Sequence, residues 1–253
     1  MNISFFQTYG ERLPLLKVRT EDVHFQKFLN NFDMNIVSLH DVSDSVKEFV
    51  NNNAIVPNQV IFEFKNKSYG ECISALINFL KDKKPEKFFF YQDDTFSCEI
   101  TNQNEYDLCE LVFESGHSLI NLSYKLEHLR EHHKWNEIKK VIYKTSAFNL
   151  YDTTTDDFKK SGLWPFDDSC FVCTLDKLLE IYDPQYFQYS DVWTAELYLN
   201  HKFENLNMLR PITDTSFFIN YNILGRNTNP QNLLNLKNKI KLSPDTLKML
   251  EGI

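Results

Sequence analysis

The sequence predicts an α/β fold with a mostly parallel central sheet and flanking helices, on three observations. Over the first hundred residues, short apolar runs alternate with helix-spaced segments in the order strand, helix, strand, helix, strand, helix, strand, the pattern of a parallel sheet with right-handed crossovers. The run Phe88-Phe89-Phe90-Tyr91 lacks polar alternation, as in a strand covered on both faces. Each expected strand also ends on polar residues: Thr8 and Arg12, then Asp41, then Asn66, then Asp93 and Asp94. Open α/β sheets gather their ligands at this carboxyl edge, so four such exits predict a cleft there.

Taken in order, Ile3 to Phe6 is the first strand, and Gly10 marks the loop after it. Pro14 opens the way to a helix, read from Glu21 to Phe32 on the spacing of Val23, Phe28, Leu29 and Phe32, with Thr20 as the expected cap. Met34 to Leu39 alternates as a second strand, and Val42, Val46, Phe49 and Val50 share one helical face behind a cap at Asp41 or Ser43. Val60 to Phe64 is the third strand, followed by a stripe of Cys72, Ile73, Leu76, Ile77 and Leu80 that ends in lysines before Pro85. The second half is less regular. Leu119, Leu122, Leu126 and Leu129 predict an amphipathic helix from Leu119 to Tyr143, with His128, His132 and His133 on its solvated side. A strand around Phe171 and Val172, a helix from Thr174 to Ile181 and a further helix begun near Asp191 complete the domain. The organisation read here is one domain over residues 1–210 and a C-terminal helical extension over 211–253 that packs on it, with Ser243-Pro244 as a helix start.

Composition narrows the function. A chain of 253 residues carrying a formal charge of -8 offers no basic stripe for a nucleic-acid backbone. No apolar run approaches the ~20 residues that span a bilayer, and no basic and apolar leader is evident, so the expectation is a cytoplasmic chain with no transmembrane segment. The five cysteines are scattered, which fits reduced thiols. Cys170 and Cys173 form a lone CxxC, and on a strand residues three apart face opposite sides and cannot chelate one ion.

Two adjacent carboxylates at a strand exit repel unless a cation lies beside them, and a divalent ion carrying a phosphate is one answer. An acidic surface turn is the other. Trp164, Phe166 and Trp193 offer aromatic faces to a ligand as well as ordinary core packing. Asp167 and Asp168 either bind a ligand or end a turn.

Four stretches in this order resemble nucleotide-sugar glycosyltransferases of the GT-A (Rossmann-like) fold, nearest the large family-2 type, over roughly residues 1–205. Phe5-Phe6-Gln7-Thr8-Tyr9-Gly10-Glu11-Arg12 resembles the opening strand and its Thr-Tyr-Asn-Arg turn, with Gly10-Glu11 in place of one Asn. Leu39 to Asp44 resembles the second-strand exit, whose Asp contacts the base, and Asn66 to Gly70 resembles the stretch before the helix under the donor. Tyr91-Gln92-Asp93-Asp94-Thr95 resembles the DxD-type motif, with Gln92 replacing its first acidic residue. The resemblance implies a donor site of Thr8, Tyr9, Arg12, Asp41, Asn66, Asp93 and Asp94, in which Asp93 meets ribose or metal-bound water. It implies a divalent ion, Mn2+ or Mg2+, on Asp94, with His201 as a further ligand, and a general base at Asp191, with Glu196 second. Trp164, Asp168 and Trp193 form the expected acceptor side. The implied reaction is inverting transfer of a sugar from a UDP-, GDP- or dTDP-linked donor to a glycan hydroxyl, as in polysaccharide biosynthesis. Two other readings stay open: a sugar-nucleotide nucleotidyltransferase, disfavoured by the single glycine and single arginine after Phe6, and an inactive glycan- or protein-binding relative, favoured by Gln92.

Overall fold

The computed structural model describes residues 1–93, 95–97, 113, 117–121, 123–125, 143–144, 149–161, 170–189, 192–203, 209–211 and 218–220. Strand β1 (Asn2–Tyr9) leads through helices α1 (Leu13–Glu21) and α2 (Val23–Leu29) to β2 (Met34–His40). Helix α3 (Asp44–Asn52), β3 (Gln59–Phe64), α4 (Tyr69–Lys83) and β4 (Lys87–Gln92) complete the alternating half. Beyond it come β5 (Thr95–Ser97), β6 (Leu119–Asn121), β7 (Ser123–Lys125), β8 (Tyr143–Lys144) and β9 (Asn149–Asp152). Then follow α5 (Asp156–Ser161), β10 (Cys170–Cys173), α6 (Leu175–Ile181), α7 (Val192–Phe203), β11 (Leu209–Pro211) and β12 (Phe218–Asn220).

Among the described residues the main sheet runs β3-β2-β1-β4-β10-β6-β11-β9-β8, and β5-β12-β7 form a small second sheet. The β3-β2-β1-β4 half is parallel, and β10 then joins β4 antiparallel. Order 3-2-1-4 puts all four early strand exits on one edge, as the alternation predicts.

The core is two apolar layers separated by this sheet, and strand period decides which residue enters which. Phe89 and Tyr91 pack with Phe6, Phe25, Phe28 and Phe32 under α1 and α2. Phe88 and Phe90 pack with Phe5, Ile73, Leu76 and Leu80 under α4. Hence the whole Phe-Phe-Phe-Tyr run is buried, with Phe90 stacked 5.2 Å from Phe171 and Phe89 4.8 Å from Tyr91. The CxxC obeys the same rule: Cys170 lies in the first layer, Cys173 in the second, and both are free thiols.

Two local expectations change. In place of one helix over 21–32, α1 ends at Glu21 and α2 runs over Val23–Leu29, because Asp22 leaves the helical conformation (φ -75, ψ 84) and its carboxylate accepts from the Phe25 amide at 3.0 Å, capping α2. Thr20, the expected cap, instead donates its hydroxyl to the Lys17 carbonyl. The expected helix over 119–143 gives way to strands at Leu119–Asn121, Ser123–Lys125 and Tyr143–Lys144. Leu119 and Ile120 enter opposite layers, as a strand demands, while 126–142, with the three histidines, lies outside the described residues. Ser43 does cap α3, and Ser68 with Glu71 closes a capping box on α4. Of the 211–253 extension, Pro211 ends β11 and Phe218–Asn220 pair with β5 and β7; the remainder, Ser243-Pro244 included, lies outside the described residues.

Candidate functional site at the carboxyl edge of the sheet

Three of the four exits are tied by hydrogen bonds to one another. The Gly10 amide donates to the His40 carbonyl (3.2 Å), the Ser43 amide to the Gly10 carbonyl (3.2 Å), and the Asp41 amide to the Phe64 carbonyl (3.0 Å). The Asn66 amide reaches back to Oδ1 of Asp41 at 2.7 Å. Gly10, Asp41 and Asn66 all hold positive φ, of 63°, 42° and 53°. Glycine adopts that region freely, and Asp and Asn tolerate it better than other residues, which is a local reason for these types at the exits. Tyr9, Asp41 and Asn66 are exposed on this edge, and the Arg12 guanidinium lies 4.1 Å from the centre of the Tyr9 ring.

The fourth exit is built differently. Asp93 is fully buried; its Oδ2 accepts from the Thr8 hydroxyl at 2.6 Å, its Oδ1 from Arg12 at 2.5 Å, and its amide donates to the Gln7 carbonyl at 2.9 Å. Burial pushes the Asp93 carboxyl up from its ordinary value, opposed by Arg12, Thr8 and the more distant Arg19. Thr8, Arg12 and Asp93 are thus brought together, as a strut between the ends of β1 and β4. The expected contact of Asp93 with ribose is not what this geometry offers: both oxygens are engaged inside the protein, away from solvent.

Gln92 carries no charge, so Asp94 is the remaining carboxylate of the turn. One carboxylate completed by diphosphate oxygens is a donor set that a hard ion such as Mg2+ accepts, so the residue types fit such an ion. Among the described residues no group of three His, Cys, Asp or Glu side chains assembles to hold a metal, and His201 sits exposed in the last turn of α7. Asp94, Trp164, Asp168 and Asp191 lie outside the described residues. So does the side chain of Trp193, whose backbone belongs to α7.

Arg19, absent from the expectations above, is among the largest fully buried side chains of the described residues. It donates to the carbonyls of Asp93 (3.4 Å) and Thr95, with its guanidinium 4.1 Å from the Phe25 ring centre. Leu15 and Leu16 are buried beside it on α1. Spacing of four and three from these leucines places Arg19 on the apolar face, a signal legible in the sequence once α1 is recognised.

A parallel half-sheet of order 3-2-1-4 with flanking helices, joined to a mixed second half, gives a GT-A-like α/β fold. Two solved structures, both of TarS, bear out the fold. S. aureus TarS, a glycosyltransferase, superposes with a TM-score of 0.53 at 10% identity over 93% of this chain and 38% of its own. The TarS 1-349 structure gives 0.52 at 12% identity, over 93% and 62% respectively. This chain therefore spans well under two thirds of TarS. The 4-diphosphocytidyl-2C-methyl-D-erythritolsynthase of Anaerococcus prevotii scores 0.47 at 10% identity, over 94% of this chain and 95% of its own. No protein-family model matches the sequence, and no curated protein matches it. No helix among the described residues is long and apolar enough to cross a membrane.

Proposed function

We propose that the chain is a glycosyltransferase moving a sugar from a nucleoside diphosphate donor to a glycan hydroxyl. The observation that carries the reading is the carboxyl edge of the sheet: Tyr9, at the end of β1, and Asp41 and Asn66, just beyond β2 and β3, stand exposed where hydrogen bonds lock the three exits together, in a GT-A-like fold. Tyr9, backed by Arg12, presents an aromatic face to a base, and Asp41 offers an acceptor to its N–H edge. Asp94 is the residue assigned to hold Mn2+ or Mg2+, with His201 the secondary candidate. Such an ion, when bound, supplies Lewis-acid stabilisation of the departing diphosphate.

Asp191, immediately before α7, is assigned the acceptor proton. Its carboxylate takes that proton as the hydroxyl oxygen bonds to the anomeric carbon and the carbon–diphosphate bond breaks on the opposite face, which inverts the centre. Trp164, Trp193 and Asp168 are assigned to the acceptor. Gln92 favours one competing reading, a binding module that has lost catalysis.

Calorimetry with UDP, GDP and dTDP in the presence and absence of Mn2+ tests the donor site. Wild type binds at least one of them in an ion-dependent way, and Asp94→Asn loses that dependence while remaining folded. Unchanged ion-dependent binding in Asp94→Asn removes the assignment.

A further inference from the structure

The exit of β2 places a titratable ring behind the hydrogen bond that ties it to the exit of β3. His40, the last residue of β2, is buried, while the next residue, Asp41, is exposed and its Oδ1 accepts from the Asn66 amide at 2.7 Å. The imidazole Nδ1 lies 3.9 Å from the Cys72 Sγ, and Nε2 is buried with no hydrogen-bond partner. Among the described residues, β1 contributes Tyr9 as the register partner of His40, β2 continues into Asp41, and β3 supplies the uncharged Phe64. Helix α4 brings Tyr69 and Cys72 to the ring, and the nearby Glu71 is already engaged by Lys67 at 3.0 Å and by the Ser68 amide at 2.8 Å. That leaves Asp41 as the carboxylate to which the ring can turn.

Packing alone does not ask for a histidine here. A buried polar atom without a partner costs stability, and an apolar ring would fill the same place without that cost. The neutral imidazole tolerates the position, but the imidazolium does not: both of its nitrogens donate, so Nε2–H needs an acceptor whichever tautomer came before. Burial accordingly holds the His40 imidazole below its ordinary value of 6.5, opposed by Asp41. A proton thus binds this arrangement poorly, and shifts the population toward one in which Nε2–H meets a carboxylate.

We infer that His40 is a positioning residue for Asp41: once protonated, its Nε2–H draws the Asp41 carboxylate off the Asn66 amide and unlatches the exits of β2 and β3. The imidazole takes one proton from solvent, Asp41 exchanges one donor for another, and the Asn66 N–H turns to water. The latch closes again as pH rises. Its effect on donor affinity rests on the proposed role of Asp41 at the base, whereas the latch itself does not.

Amide NMR spectra of the full chain from pH 8 to 5 test the latch without any nucleotide. The Asn66 amide loses its hydrogen-bonded shift in step with the His40 ring resonances. Its protection from solvent exchange, corrected for the intrinsic pH dependence, falls about ten- to a hundredfold, as expected for losing a charged acceptor. The Gly10 and Asp41 amides, which donate to the His40 and Phe64 carbonyls, keep their protection. In His40→Gln, or His40→Phe should that variant not fold, the Asn66 amide stays constant over the range. A merely structural role would loosen all three amides together. That result, or an Asn66 amide that ignores the His40 titration, overturns the inference, and the wild-type spectra suffice to show either.

Calorimetry with UDP, GDP and dTDP at the two ends of the range reads the coupling to the donor. On going to low pH, wild type loses about ten- to a hundredfold more affinity than the His40 variant, which controls for titration of the phosphate itself. If the Asn66 amide follows His40 but both proteins lose affinity alike, the coupling is overturned. If wild type binds none of the nucleotides, the donor reading fails, and the amide titration still decides the latch.

Discussion

At the scale of single residues, the ends of β1 and β4 meet through a carboxylate that water does not reach. Asp93 is fully buried and Arg12 nearly so, so each compensates the charge of the other. Arg12→Ala strands that carboxylate and costs about 3–5 kcal/mol of unfolding free energy, measured by urea denaturation at neutral pH. Arg12→Lys loses less, since it keeps the charge and gives up only the planar geometry. A loss under about 1 kcal/mol in Arg12→Ala, the range of a surface pair, would place the Asp93–Arg12 bond in solvent and contradict the burial. The residue types of this cluster were legible in the sequence, but their mutual pairing was not. Thr8, Arg12 and Asp93 each read as ligand contacts because each stands at a strand exit, and nothing in the spacing shows that they bond one another across 81 to 85 positions. Arg19 was hidden for the opposite reason: a cation on an apolar helix face looks like a break in the pattern until its carbonyl partners are known.

At the scale of elements, the contact between the β2 exit and α4 carries a pH dependence. His40 is buried against Cys72 of α4, whose Sγ lies 3.9 Å from Nδ1, with the Phe64 and Tyr69 rings at 5.5 and 6.4 Å. Burial holds the His40 imidazole below its ordinary value of 6.5, against the opposing pull of the neighbouring Asp41 carboxylate. The same burial pushes the Cys72 thiol up to about 12, so it stays neutral beside the ring. A depressed pKa means that the unfolded chain takes up a proton before the folded one does. The stability His40 contributes is therefore fully present above about pH 6.5 and is lost as pH falls from there through the folded value. Urea midpoints measured from pH 8 to 5 show this loss in wild type and a shallower one in His40→Gln; identical profiles would refute it. Strand β4 was readable because a strand buried on both faces is a continuous apolar run, and β2 because its residues alternate, both local properties. The 119–125 stretch was not, because its leucines repeat near helical period, and only pairing of β6 with β10 and β11, and of β7 with β12, selects the strand. The break at Asp22 was missed because Asp inside an apolar pattern reads as a polar face, although here it caps the next helix.

At the scale of the whole molecule, alternating elements and right-handed crossovers leave little choice but to bring the exits of β1, β2, β3 and β4 to one edge. That is why the shared edge was legible from sequence while the second half of the sheet was not: β10 joins β4 antiparallel and β6 joins β10 antiparallel. The same edge gives the chain its proposed chemistry. In that proposal exposed Tyr9, Asp41 and Asn66 are assigned to the donor, while a buried strut of Thr8, Arg12 and Asp93 ties β1 to the end of β4 and Arg19 bonds the carbonyls of Asp93 and Thr95 in the turn after β4. The measurement that tests this most directly is release of nucleoside diphosphate from a panel of UDP-, GDP- and dTDP-sugars incubated with the chain and Mn2+, with Asp191→Asn beside wild type. The account predicts slow release from at least one donor by wild type, cut about 10²- to 10⁴-fold in Asp191→Asn. Pyrophosphate in place of nucleoside diphosphate, or no release from any donor, would contradict it.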